Sequence, residues 1–266
     1  MKPFLKWAGG KYRIVGKIKD ALPAGKRLIE PFAGSAAVFL NTDYRDNLIS
    51  DSNADIINIY LHLQENGKDF IDYCRKFFIK SNNTKERFYE LRERFNQTSV
   101  LELKAALFLY LNRHCFNGLC RYNSRGKFNV PFGKYTNPYF PNDEMLYFYD
   151  KSKNATFIRA DFKEIMRKAR RGDVVYCDPP YVPLSKTSNF TAYTQSGFGP
   201  VEQQDLADIA EELQAQGVTV VISNHNTAFT RSAYKSAKIK KFDVQRFISS
   251  DGDNRGAAQE LLAVFS

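Results

Sequence analysis

Asp178, the two prolines after it and Tyr181 are the residues of this chain best suited to chemistry. They follow Val174-Val175-Tyr176-Cys177, an apolar and β-branched run that predicts a short buried strand. Pro179 and Pro180 end that strand, because proline donates no ladder hydrogen bond and fixes φ. Asp178 is thereby held at a strand's carboxyl end, where open α/β sheets bind ligands. Such a group can grip a planar amine. A ring-conjugated amine is a poor nucleophile because its lone pair is delocalised. A carboxylate and a backbone carbonyl, here Asp178 and Pro179, can accept both of its N–H hydrogens. That draws the nitrogen towards tetrahedral and frees the lone pair for attack. Tyr181 offers a face on which the ring can stack. The plainer reading of the same string is a strand ending in a Pro-Pro turn with a capping Asp.

Other stretches must position that grip. Phe4 to Tyr12 reads FLKWAGGKY and holds the only tryptophan, Trp7. Gly9-Gly10 allows close backbone approach to a ligand, Lys11 could meet a carboxylate, and Trp7 could pack on a purine or a sulfonium. An ordinary N-terminal turn with a buried Trp is the alternative. Leu28 to Phe32 reads as a strand, Ala33 to Ala37 as a small-residue turn with one glycine, Gly34, and Val38-Phe39-Leu40 as the start of a helix. Strand, turn and helix in that order form the nucleotide-binding layout. Leu48 to Asp51 is a further strand. Asp51 lies about 20 residues past the turn, where an acid meets ribose hydroxyls in dinucleotide folds; it could equally be a helix N-cap ahead of Asn53.

From Ile56 onward apolar residues recur at helical spacing, through Tyr60, Leu63, Phe70, Phe77, Phe88, Leu91 and Phe95, and predict amphipathic helices. Thr84 is a candidate N-cap, and Leu103 to Leu111 is a strongly apolar helix. Residues 103 to 142 contain no Asp or Glu but hold Lys104, Arg113, Arg121, Arg125, Lys127 and Lys134, interleaved with Phe116, Tyr122, Phe128, Phe132 and Tyr135. Ser124-Arg125-Gly126-Lys127 looks like a hairpin turn. A basic, aromatic hairpin suits a nucleic-acid groove, since arginine can read guanine edges and aromatics can stack or wedge. A merely solvated basic hairpin has the same composition.

The α/β pattern returns after Pro141. Thr156 to Ala160 is a strand, and Asp161-Phe162 opens a helix with Asp161 as a possible N-cap. Pro183 to Pro200 is a polar loop and a candidate lid. Val201 to Gln216 is a helix, and Val218 to Ser223 a strand leading to Asn224-His225-Asn226. His225 is read as locally structural, because the amine grip needs no base. Phe242 to Ile248 and Glu260 to Phe265 predict a closing antiparallel pair, with a loop at 251–256 that could touch phosphate.

Composition agrees with a polyanionic partner. Lys and Arg total 39 against 29 Asp and Glu, a net charge of +10. The chain has 22 Phe and 15 Tyr, enough for both a core and base stacking. Cys74, Cys115, Cys120 and Cys177 lack zinc-ligand spacing, so no metal site and reduced thiols are expected. No apolar run suggests a signal peptide or membrane span.

Taken together, FLKWAGGKY, EPFAGSAAVF, the block from Asn112 to Tyr135, VVYCDPPY and ISNHNT resemble the Dam type of DNA adenine-N6 methyltransferase, from Phe4 to about Phe265. The resemblance implies an α/β, Rossmann-like methyltransferase fold, with 1–54 and 140–266 as the catalytic domain. Residues 55–139 would be an inserted, mostly helical DNA-recognition domain carrying a β-hairpin. It implies S-adenosyl-L-methionine (AdoMet) as cofactor, held by Trp7, Ala8, Gly9, Lys11, Phe32, Gly34, Asp51, Asp161, Phe162 and Asp178. Asp178, Pro179 and Tyr181 would be catalytic. Double-stranded DNA would be bound by Lys6, Arg113, Phe116, Asn117, Leu119, Arg121, Pro131, Lys134 and Tyr135, with Phe116 inserted into the duplex. The target implied is the adenine of GATC, flipped out of the stack.

No membrane and no obligate protein partner are implied, and the setting is the cytoplasm and nucleoid of a bacterial or phage-infected cell. The chain departs from the family at Ala36, where a glycine is usual, at Phe116, where a tyrosine is expected, and at Asp251, where Asn is usual. Two other classes fit parts of the pattern: an amine methyltransferase acting on RNA or protein glutamine, and a catalytically silent DNA-binding protein.

Overall fold

A computed structural model describes residues 1–182, 198–244 and 258–266. The chain packs as two compact units. The first comprises Met1–Val15, Ala33–Asp43 and Asp51–Arg159; the second comprises Gly16–Phe32, Tyr44–Ser50 and Ala160–Ser266. This division follows packing, whereas the boundaries read from the sequence follow the point of insertion in the chain.

The strands are β1 (Arg27–Glu30), β2 (Asp46–Asp51), β3 (Ala155–Arg159), β4 (Val174–Cys177), β5 (Thr219–His225), β6 (Lys238–Val244) and β7 (Ala258–Phe265). They form a seven-stranded sheet among the described residues. Apart from β3, they run in the order β2-β1-β4-β5-β7-β6. β1 pairs in parallel with β2 on one side and with β4 on the other, and β4 pairs in parallel with β5. β7 is antiparallel to both β5 and β6. The direction of winding therefore reverses between β1 and β4, the kind of switch point where doubly wound sheets bind ligands. The fold is mixed α/β and Rossmann-like. β4 is buried along its whole length, as its unbroken apolar run requires. In this unit lie the short helix α1 (Val15–Lys19, whose first residue belongs to the other unit), α6 (Phe162–Met166), α7 (Pro200–Ala215) and α8 (Ala228–Ala233), with α2 to α5 in the first.

Those helices are α2 (Ala54–Arg75), α3 (Lys85–Gln97), α4 (Leu101–His114) and α5 (Asn142–Ser152). Thr84 caps α3 by accepting from the Arg87 amide at 3.2 Å, the N-cap role its position predicts. α2 kinks at Gly67, whose φ of 47° is left-handed; a Cβ there would lie 2.6 Å from the Tyr149 ring. Phe4, Tyr60 and Phe148 form an aromatic core in which Tyr60 and Phe148 stack at 4.7 Å. Each buried ring contributes about 1.5–3 kcal/mol of hydrophobic stabilisation.

Two expectations are corrected. The turn after β1, in which Gly34 and Ala36 take left-handed φ of 46° and 56°, leads only into a 3₁₀ turn, Phe39–Asn41, because Thr42 is already extended at φ −119° and ψ 161°. The last hairpin begins at Lys238 rather than Phe242; residues 183–197, with most of the candidate lid, and 245–257, with the 251–256 loop and Asp251, lie outside the described residues. The four cysteines are free thiols. No helix among the described residues is long and apolar enough to cross a membrane.

His114 makes the first unit sensitive to acid. It is 1% exposed and stacks on Tyr110 at 3.9 Å. Its Nδ1 lies 2.8 Å from the Tyr110 carbonyl, which only accepts, so Nδ1 carries the proton. Burial, helped by the Lys6 charge, lowers its pKa from 6.5 to about 4. The unfolded chain therefore binds this proton at higher pH than the folded one. Stability is full above pH 6.5 and falls by about 3 kcal/mol as pH drops to about 4. Urea midpoints measured between pH 7 and 5 should fall in the parent, and His114→Gln should flatten that slope.

Candidate active site and nucleic-acid interface

Asp178 stands half-buried one residue past β4, at the switch point. The prolines give the loop no N–H at 179 or 180, and other elements receive the Pro180 carbonyl and the Val182 amide and carbonyl. Gln203 of α7 donates from Nε2 to the Pro180 carbonyl at 2.7 Å. Asn224 of β5 accepts the Val182 amide on Oδ1 at 3.1 Å. His225 Nδ1 meets the Val182 carbonyl at 2.7 Å, and the His225 ring packs edge-on to Tyr181 at 4.7 Å. Tyr181 donates to Glu260 at 3.2 Å, because the β5–β7 register places Glu260 opposite His225. Burial, then the charges of Asp178 and its neighbours, push the Tyr181 phenol well above its ordinary pKa. It therefore remains a neutral donor.

The sequence reading missed Gln203, Asn224 and Glu260. The signal for Gln203 was present: it falls in step with Leu206, Ala207, Ala210 and Leu213 on the buried face of α7. A primary amide inside an apolar stripe must have a buried partner. In the same unit Phe32 stacks on Phe162 at 5.4 Å, and Phe198, also missed, closes an aromatic trio. Asp161 caps α6, accepting from the Lys163 amide at 2.9 Å.

In the first unit the sequence brings Trp7, Lys11, Gly34 and Asp51 into one neighbourhood. A Cβ on Gly34 would lie 2.7 Å from the Trp7 indole nitrogen. Asp51 is not an N-cap; Asn53 caps α2 by accepting the Asp55 amide. Asp51 instead accepts from the Gly34 amide on Oδ2 and the Asn53 amide on Oδ1, each at 2.9 Å. A carboxylate has about four acceptor sites, so lone pairs remain on both oxygens for ligand hydroxyls. Burial raises the Asp51 pKa, and these two backbone donors oppose it. Lys11 is buried and donates to the Gly9 carbonyl at 2.5 Å; Ala8 and Gly9 are exposed beside it.

The basic hairpin is present as a ribbon with two isolated bridges, Cys115 to Phe132 and Tyr122 to Phe128, rather than continuous strands. Asn123 forms its turn, accepting from the Arg125 and Lys127 amides on Oδ1. Phe116 is 50% exposed, and its amide bonds the carbonyl of exposed Pro131 at 2.8 Å. Asn117 is held at φ 54° and donates its amide to the Tyr135 hydroxyl at 3.1 Å. Lys6 lies over the Tyr135 ring at 4.1 Å. Arg121 is exposed and oriented by Nε donating to Asn129 at 2.8 Å. Lys134 is exposed and Leu119 half-buried. Arg113 differs from the expectation of a phosphate contact. It is 4% exposed and donates to the Phe4 carbonyl, against Tyr139, so here it braces the N-terminal segment. Tyr122 joins the ribbon to α2 by donating to Asp55 at 2.6 Å. Among the described residues no group of His, Cys, Asp and Glu is arranged to hold a metal.

Comparison with known proteins shows the class of enzyme that carries this sheet and motif. Residues 7–248 match the D12 class N6 adenine-specific DNA methyltransferase family. The DNA adenine methylase of Serratia marcescens is 49% identical, with 99% of this chain and 98% of that protein covered. Those of Vibrio cholerae O395 (46%, with 100% and 96% covered) and Escherichia coli K12 (46%, with 99% and 95% covered) are similar. The chain belongs to the D12 class of N6 adenine-specific DNA methyltransferases. It is an enzyme whose substrate is DNA, and its family implies an AdoMet-type methyl donor.

Proposed function

We propose that this enzyme methylates the adenine of GATC in duplex DNA, flips that base out of the stack, and uses AdoMet itself. The observation that carries the reading is Asp178 at the carboxyl end of β4, beside the switch point, followed by a proline loop whose backbone is held by side chains. Asp178 and the Pro179 carbonyl accept the two amine hydrogens, and Tyr181 stacks on the extruded base. Flipping costs a few kcal/mol, offset by that stacking and by phosphate contacts.

The residues assigned to the donor are those the family resemblance implies, Trp7, Ala8, Gly9, Lys11, Phe32, Gly34, Asp51, Asp161, Phe162 and Asp178, with Asp51 taking ribose hydroxyls on its remaining lone pairs. When bound, AdoMet supplies an electrophilic sulfonium methyl. Residues 55–139 serve as the recognition domain. Phe116 wedges into the duplex; Lys6, Asn117, Leu119, Arg121, Pro131 and Tyr135 read bases; Lys134 contacts phosphate; and Arg113 braces the Phe4 backbone two residues before Lys6. The enzyme works on bacterial DNA in the cytoplasm without a required protein partner.

Arg121 tests the target. Its Nε is occupied by Asn129, which orients the guanidinium for a bidentate contact to guanine worth about 1–3 kcal/mol of discrimination. Arg121→Ala should relax preference at one guanine, whereas Lys134→Ala should weaken all sequences about equally. Initial rates on GATC and its single-base variants decide. Retention of full discrimination by Arg121→Ala, or a parent that prefers another site, overturns the assignment.

A further inference from the structure

The motif loop is placed by a buried polar clamp that the amine chemistry does not itself require. Gln203, Asn224 and Tyr234 are all 0% exposed. Asn224 uses its full hydrogen-bonding capacity: Oδ1 accepts the Val182 and His225 amides at 3.1 and 2.9 Å, and Nδ2 donates to Gln203 Oε1 and the Tyr234 hydroxyl at 3.0 and 3.1 Å. Gln203 accepts on Oε1 from Asn224 and Tyr234 and passes its Nε2 hydrogen to the Pro180 carbonyl. Burying such groups costs stability unless every one is paired. An apolar core would fill the same space without that risk. The network reaches the loop at three backbone atoms, the Pro180 oxygen and the Val182 nitrogen and oxygen, which flank Tyr181 on both sides.

We propose that Gln203, Asn224 and His225 are positioning residues that set where Asp178 and Tyr181 stand over the target adenine. The inference rests on the reading of Asp178 and Tyr181 given above. It assigns to α7 and to the end of β5 the alignment of a loop that has no amide donor at either proline. A misplacement of about 1 Å at a reacting centre costs on the order of 10²-fold in rate, so losing one anchor is expected to slow transfer by about 10- to 100-fold.

Single-turnover methyl transfer to one GATC duplex is measured for the parent, Asp178→Ala, Gln203→Met, His225→Phe and Leu206→Ala, with rates taken per folded molecule from denaturation curves. Gln203→Met keeps the volume and removes the donor. His225→Phe keeps the ring against Tyr181 and removes the bond to Val182. Leu206→Ala damages the same buried face of α7 without touching the network. The clamp predicts slowed transfer in Gln203→Met and His225→Phe with DNA and AdoMet affinities within about 2-fold of the parent, and a parental rate in Leu206→Ala. If Gln203→Met does not fold, His225→Phe, at a half-buried position, decides. Parental rates in the two clamp variants, or slowing no greater than in Leu206→Ala, beside an inactive Asp178→Ala, overturn the clamp alone. An active Asp178→Ala overturns instead the site reading on which it rests.

Discussion

Asp178→Ala is expected to abolish methyl transfer while DNA binding stays within about an order of magnitude of the parent. The carboxylate is assigned to accept an amine hydrogen and to help hold the donor, and alanine has no acceptor. The loss should be large because the side chains that anchor the loop are already engaged. Gln203, Asn224 and His225 are committed to loop backbone, and Tyr181 donates its hydroxyl to Glu260. Binding should survive because the exposed cations and Phe116 belong to the other compact unit. Incorporation of labelled methyl groups under single-turnover conditions, with binding followed in parallel by anisotropy, checks both halves. Turnover near that of the parent would remove Asp178 from the mechanism.

Salt should weaken DNA binding steeply. Each phosphate neutralised contributes about 0.9 to the slope of log K against log salt. Six contacts would give about a 10³-fold loss between 50 and 200 mM salt. The structure adjusts this count. Of the six basic residues at 103–142, Arg113 is internal, and Lys104 lies over Phe95 with Asp55 at 3.9 Å. Arg125, Lys127 and Lys134 are exposed and have no base-reading role, and these three alone give about a 40-fold loss. A decline of about 40- to 10³-fold is the expected result, the upper end requiring cations from elsewhere, such as Lys2. A flat titration would show that the ribbon does not face phosphate.

What could be read from sequence was what local chemistry dictates. The β4 strand follows from an unbroken apolar run, the end of the strand from two prolines, and the cap at Thr84 from its place before a helix. The hairpin turn was also visible, although its agent, the Asn123 side chain, was not. Tertiary packing decided the rest. Ala36 adopts a left-handed φ that its residue type disfavours by about 1–2 kcal/mol; it is 0% exposed, and the surrounding core holds it there. A glycine would adopt this φ without that cost. Arg113 looked like a surface cation because it lies in an acid-free stretch with five other Lys and Arg, yet its partners, Phe4 and Tyr139, are distant in sequence. α5 went unread, although Asp143 and Glu144 in its first turn complement a helix N-terminus. Gln203 was one polar residue in an apolar stripe, and only the third dimension shows what it holds.

A motif held from outside is not portable. The string from Asp178 to Tyr181 can pass unchanged from one descendant to another while a substitution at 203 or 224, some 20 to 45 positions away, displaces it. Lineages that lose the reaction need not lose its signature, and grafting the four letters onto another sheet would carry the reagents without their mounting. Among relatives of this chain, the pair at 203 and 224 should separate working copies from silent ones better than the motif does.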